Sequence, residues 1–407
     1  MNAPFARRTF PSKWLDCLSN EIAFSVSNGL PGAVVSAVWQ GEVLLSRAYG
    51  QQRRYNEKQL MPVPEPMRED TIFDLASLTK IFSTTLAFMR LVDNKQVAID
   101  DTVCRYLPAF SEGAKADITI GQLLQHRSGL PSSFHFYDPK QVPPAFYSQC
   151  RDTTCTLLPQ VPLLHAPDSV TLYSDLNFAL LGVVLESITG MRQDQFVDEQ
   201  IYRPLGLNNT GYRLLDRGLA KNRFEATERC GNTRDGAVAF PNIRTQTIQG
   251  EVHDELAYYA MGQVSGHAGL FSTAADLTVL SQLILNGGGW GSYRLCSAET
   301  VKQFTHTLNK DGSYALGFQI PTAATQLTYG VLLPEGGSAV AHTGWTGKCV
   351  VIDFSHQAIF LLLTNKKHSP VISLPADLNH FEGDLTPASI YAGPIQQLYA
   401  GLLSSAL

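Results

Sequence analysis

Residues 73–93, FDLASLTKIFSTTLAFMRLVD, constrain the fold more than any other stretch of the chain. Outside the patch Ser77-Leu78-Thr79-Lys80 they are apolar nearly all the way round, through Ile81, Phe82, Leu86, Phe88, Met89, Leu91 and Val92. A helix apolar on every side belongs inside a domain. Asp74 stands where an acid favours a helix start, and Asp93-Asn94 close the run. The pattern predicts a buried helix with Ser77 in its first turn, where main-chain N–H groups lack an intrahelical partner. Lys80 follows on the same face. Ser77 is the only serine with lysine three residues on, and a lysine inside an apolar helix is costly without a partner or a task. On local grounds alone the pair reads as a helix-start serine and its solvated neighbour. Chemically, a hydroxyl, an amine and a free N–H at one helix end are the parts needed to attack a carbonyl.

The rest of the chain bounds the possibilities. At 407 residues it can bury a large core and divide into two lobes. With 31 basic against 36 acidic residues and no run of either sign, nucleic acid and anionic membrane surfaces are not expected partners. No stretch approaches the ~20 apolar residues of a membrane span. The start, MNAPFARRTFPSKWLDCL, carries an arginine pair but no apolar core of a secretory signal. This predicts a cytoplasmic protein, or a periplasmic or envelope-associated one if the true start lies upstream. Seven scattered cysteines without a Cys-x-x-Cys pair predict free thiols in a reducing compartment.

Hydrophobic periodicity predicts a helix over 12–28 and strands over 33–39 and 43–49, joined by a hairpin turn at Gln40-Gly41. Residues 51–70, with prolines and mixed charge, read as a loop, and 118–131 as helix-like up to Gly129 and Pro131. The Pro-rich and aromatic stretch 131–170 reads as a surface excursion, and 226–265 as irregular. Further helices are expected over 178–190, 274–285 and 387–404, and strands over 349–353 and 358–364. This is an α+β layout: an antiparallel sheet from both chain ends flanked by helices, with a mostly helical lobe inserted. The expected division is 1–70 with 265–407, against 71–264, with the active site in the cleft between.

Three further stretches carry chemistry. Tyr173-Ser174-Asp175-Leu176-Asn177 precedes an apolar helix, so Ser174 or Asp175 suffices as a cap, which leaves Tyr173 free. A tyrosine near a buried ammonium would have a lowered phenol pKa and could act as a base. His342-Thr343-Gly344-Trp345 enters a strand; it reads as a glycine-rich turn, or as an edge that holds substrate and aims an N–H at an oxyanion. His253, Asp254 and His267 lack zinc-site spacing and are better read as residues lining the cleft; neither a metal nor a cofactor is expected.

Together, and in this order, these motifs resemble the penicillin-recognising serine hydrolases, in the branch of class C β-lactamases and serine D-Ala-D-Ala carboxypeptidases. The phrases QLLQHRSGLP (122–131), YSDLNFALLGVVLESITG (173–190) and SGHAGLFSTAADL (265–277) are similar to that branch. Residues 226–271 and TNKKHSP (364–370) resemble the subgroup of penicillin-binding protein 4B. The resemblance spans about residues 30 to 400 and implies a β-lactamase/transpeptidase-like fold. It implies that Ser77 is acylated, that Lys80 and Tyr173 move the proton, and that the N–H groups of Ser77 and Trp345 form the oxyanion hole. Asp175, Asn177, His342, Thr343 and Gly344 would bind substrate. Two positions depart from the pattern. Asp175 replaces an asparagine that donates to the substrate amide, and an ionised carboxylate cannot donate; pairing with Lys80 is an alternative for it. His342 replaces a lysine, so the grip on a substrate carboxylate should weaken and vary with pH near the histidine range.

The expected activity is hydrolysis, through an acyl-enzyme, of an amide in a cell-wall-derived peptide or muramyl peptide. D-Ala-D-Ala carboxypeptidase leads, with β-lactams as covalent ligands and at most weak β-lactamase activity. The alternatives are an exo-type N-acetylmuramoyl-L-alanine amidase of wall recycling and a carboxylesterase. A non-catalytic penicillin sensor would need a membrane span or a partner domain.

Overall fold

A computed structural model describes residues 10–333, 338–385 and 388–405. The start of the chain with its arginine pair, and residue 387 of the last expected helix, lie outside the described residues. Helix α1 (Ser12–Ser27) leads into strands β1 (Gly32–Trp39), β2 (Glu42–Asn56) and β3 (Gln59–Pro66). The hairpin expected at Gln40-Gly41 forms, with both residues at positive φ (51° and 79°), the twist that a two-residue loop requires. Three strands close to the C-terminus, β4 (Ala339–Gly344), β5 (Lys348–Asp353) and β6 (Ala358–Thr364), complete a six-stranded antiparallel sheet in the order β4-β5-β6-β1-β2-β3. The fold is α+β, with the sheet drawn from both chain ends.

Period-two alternation decides which side of the sheet each residue serves. In β1, Ala33, Val35, Ala37 and Trp39 pack with Leu18, Ile22 and Leu398 beneath α1 and α5 (Gly393–Ser405). Val34 and Val38 join the opposite core with α2 (Leu86–Asp93), α3 (Asp175–Thr189) and α4 (Ala274–Leu285). That larger core is continuous from the sheet into residues 71–264. Strands β1, β5 and β6 are buried along their whole length, which is why they read as unbroken apolar runs. Among the described residues no helix is long and apolar enough to cross a membrane, and all seven cysteines are free.

Three expectations need correction. Residues 51–66 are not a loop: β2 continues to Asn56 and β3 carries Pro62, Pro64 and Pro66 along the sheet edge, where a missing N–H is tolerated. Residues 131–170 turn inward as well as outward, burying Phe136 and Tyr137. The segment 73–93 is not one α-helix. Phe73–Asp74 is a short strand paired with Leu270–Ser272, Ala76–Leu78 is a single 3₁₀ turn, and Lys80–Thr85 is a π-helical turn that runs into α2. Wide turns of this kind recur at functional sites.

Candidate active site

Ser77 stands on a turn built by Asp74. The Asp74 carboxylate accepts the N–H of Ala76 at 2.9 Å and that of His253 at 2.6 Å, and its main-chain carbonyl accepts the Thr346 hydroxyl at 3.1 Å. Ala76 is held at φ +46°, a left-handed conformation costly for a residue with a Cβ. Sequence rules cast Asp74 as a helix-start acid. Its actual work is to tie together the serine turn, the entry to β5 and the wall that carries His253. We expect Asp74→Ala to lower kcat by on the order of 10²-fold through misplacement of Ser77, with Asp74→Asn recovering part of it; steady-state kinetics checks this.

Beneath Ser77 the Lys80 amine is fully buried. Its Nζ donates to Ser77 Oγ at 2.9 Å, to Asp175 Oδ1 at 2.7 Å and to the His267 carbonyl at 3.2 Å, so all three ammonium hydrogens are used. Burial lowers the Lys80 pKa, but the Asp175 carboxylate and, after it, the Tyr173 phenol oxygen raise it, and the net shift is upward. The His267 carbonyl reaches this point because Gly266 lets its loop lie against α3: a Cβ there would stand 2.0 Å from the Phe178 carbonyl oxygen.

Tyr173, just ahead of α3, donates its hydroxyl to Ser77 Oγ at 2.8 Å, and the Lys80 ammonium lies 4.9 Å from its ring centroid. The expected lowering of its pKa is not what results. Burial raises it, the nearby ammonium pulls it back, and the balance stays above the ordinary phenol value. Tyr173 is therefore neutral at rest. Its ring packs at 4.6 Å on His126, a residue that sequence reasoning passed over, whose Nδ1 accepts the Ser174 N–H.

Strand β4 forms the facing edge. Gly344 is required there, since a Cβ would lie 2.6 Å from the Leu75 carbonyl oxygen, against the turn that carries Ser77. Among the described residues, no acceptor takes the main-chain N–H of Ser77 or of Trp345, and both residues line the cleft. His342 and Thr343 line it too. His342 does not titrate in the ordinary histidine range: burial, then the Lys80 charge, push it down to about 4. Because its folded pKa is depressed, its contribution to stability is present above pH 6.5 and is lost as pH falls through 4. We expect kcat/KM between pH 5 and 8 to show no step near 6.5, a profile measurable with any turned-over substrate.

The remaining candidates divide. Asp175 lines the cleft, but one of its oxygens is taken by Lys80. Asn177 does not reach the cleft; it is buried against Ser128, whose hydroxyl it accepts at 2.5 Å. Two residues apart on a helix, Asp175 and Asn177 point to nearly opposite sides. His253 lines the cleft and bonds Glu228 at 2.9 Å, and Asp254 lines it bonded to His267 at 2.9 Å. His267 also meets the Ser265 hydroxyl at 2.7 Å, but Ser265 is buried, so this serine, histidine and aspartate chain props Asp254 and offers no second nucleophile. The cleft encloses about 740 Å³, and its lining also includes Tyr137, Arg234, Phe240, Lys366 and Asn379.

The sequence profile described as Beta-lactamase matches residues 18–383. The chain belongs to the beta-lactamase family. It is 40% identical to the N-acetylmuramyl-L-alanine amidase of Bacillus subtilis (strain 168) over 400 residues, covering 97% of this chain and 90% of that protein. It is 39% identical over 395 residues to an Escherichia coli (strain K12) protein named "Putative D-alanyl-D-alanine carboxypeptidase", covering 95% and 90%. Among solved structures, a penicillin-binding protein homologue from Caulobacter crescentus aligns with a TM-score of 0.68 at 22% identity, covering 97% of this chain and 98% of that one, a likeness of fold. Membership of this family makes the chain a serine β-lactamase-family hydrolase.

Proposed function

We propose that this family member, in the subgroup of penicillin-binding protein 4B, hydrolyses the amide between N-acetylmuramic acid and L-alanine in wall-derived muramyl peptides. The observation that carries the reading is His342. The strand position where a lysine would grip a terminal carboxylate holds an imidazole that is neutral at pH 7, with Nδ1 tied to the Thr343 carbonyl at 2.7 Å. A D-Ala-D-Ala substrate ends in a carboxylate and would meet no fixed cation there; an amide in the middle of a muramyl peptide needs none. The 40% identity to a relative named as a muramyl-alanine amidase supports the same reading. D-Ala-D-Ala carboxypeptidase activity is the second reading, favoured by the name of the Escherichia coli relative.

In this mechanism Ser77 Oγ attacks the lactyl carbonyl while the N–H groups of Ser77 and Trp345 hold the oxyanion. The serine proton enters the Lys80–Asp175 pair, Lys80 passing one of its own to Asp175 as it receives it. Tyr173 gives its proton to the departing nitrogen and regains one through the same network, and the peptide leaves as an amine. Water then releases N-acetylmuramic acid from Ser77 by the reverse proton path. Asp175, anionic and bound to Lys80, offers no donor to a β-lactam side-chain amide, so acylation by penicillins is expected to be slow.

Chromatography of a digest of a muramyl pentapeptide tests the reading. Free N-acetylmuramic acid and intact pentapeptide are expected. Release of D-alanine with the muramyl linkage intact would instead support the carboxypeptidase.

A further inference from the structure

Trp345 is 46% exposed within the cleft, next to the nucleophile, while its back rests on a buried cation. The Lys367 ammonium lies 4.1 Å from the Trp345 ring centroid and 4.4 Å from that of Phe381. It donates to the Asn379 carbonyl at 3.0 Å and pairs with Asp384 at 2.5 Å. Lys366, on the other oxygen of Asp384 at 2.7 Å, faces the cleft, as does Asn379. Burying an ammonium is expensive, and here it fixes the plane of one half-exposed indole. A large apolar face left open in a cleft gains most when a ligand covers it. Donors at its rim add orientation, the usual make-up of a small-molecule site.

We propose that the open face of Trp345 is a saccharide subsite, on which a pyranose ring attached to the acyl group stacks its C–H face, with Lys366 and Asn379 donating to ring hydroxyl or acetamido oxygens. One flat aromatic face joined to hydrogen-bond donors at its edge favours a sugar over a purely peptidic acyl group. It lies on the Trp345 side of Ser77, along the strand from His342. Lys367 acts as a positioning residue, through Trp345. The inference deepens the muramyl-amide reading and rests on it for the choice of sugar.

Calorimetry on the full-length Ser77→Ala protein tests it without turnover, with N-acetylmuramic acid and D-lactate as ligands. The two share a carboxylate and a lactyl carbon frame, and only the first has the pyranose. N-acetylmuramic acid is expected to bind at least about tenfold more tightly than D-lactate, an advantage lost in Ser77→Ala/Trp345→Ala and largely kept in Ser77→Ala/Trp345→Phe. Circular dichroism shows that each variant is folded. Equal affinities, no measurable binding of either ligand, or an affinity unchanged in the Trp345→Ala protein would overturn the subsite. Hydrolysis by the wild-type protein is then compared between a muramyl dipeptide and the same dipeptide carrying only a D-lactyl group. Equal kcat/KM for the two would overturn the subsite while the amidase reading stands. Tight, Trp345-dependent sugar binding without cleavage of the muramyl dipeptide would uphold the subsite and remove the amidase.

Discussion

Replacing Ser77 with alanine is expected to lower turnover by on the order of 10⁴-fold or more while leaving the fold intact. The argument is geometric. Ser77 Oγ is the point at which the two proton-bearing side chains converge, 2.9 Å from Lys80 Nζ and 2.8 Å from Tyr173 OH, and it faces the cleft. The methyl group of alanine keeps the packing of the turn, whose φ strain is carried by Ala76 and whose anchor is Asp74. What disappears is the covalent route. The buried serine of the Ser265, His267 and Asp254 chain cannot replace it, because that hydroxyl does not open to the cleft. The check is a steady-state rate on any amide or activated ester the wild type hydrolyses, with melting temperature as the control. A variant that retained more than about a hundredth of the wild-type rate would place the nucleophile elsewhere.

The second large effect belongs to Lys80. Lys80→Ala is expected to reduce kcat by about 10²–10⁴-fold and to lower the melting temperature. The amine is fully buried with three acceptors around it, and its loss leaves the Asp175 carboxylate without a counterion and the His267 carbonyl without a donor. Breaking one side of such a pair destabilises because the other charge stays behind. Asp175 is 28% exposed, so water relieves part of that cost and the rate should fall far more than the stability. Lys80 with a raised folded pKa contributes stability below pH 10.5 that is lost as pH climbs through the folded value, so the wild type should lose this advantage only in strong alkali. Tyr173→Phe separates chemistry from folding: it keeps the ring against His126, removes only the hydroxyl, and should cost rate in the same range with little change in melting temperature.

The Ser77–Lys80 pairing that the structure shows was legible because its signal is local: one serine with lysine three residues on, in a segment too apolar for a lysine without a partner. The sheet was legible from β-rich apolar runs at both chain ends. The edge strand β3 was not, since three prolines look like a loop until the edge position is known. Asn177 was assigned to the substrate from the family resemblance, and only the start of α3 at Asp175 reveals that it turns away. The roles of Asp74, His126 and Lys367 depend on contacts between distant segments. Lys367, for example, meets Trp345 across two strands, and no spacing in the chain announces it. The protonation states of Tyr173 and His342 likewise follow from how deeply each is buried, which no motif records.

The account stands on Ser77 being the group that becomes covalently modified. Intact-mass spectrometry after incubation with a fluorophosphonate, followed by peptide mapping, tests that most directly. A single adduct on the peptide containing Ser77, absent in Ser77→Ala and formed much more slowly in Tyr173→Phe, is the predicted result. An adduct that persists in Ser77→Ala, or maps to another residue, would contradict it.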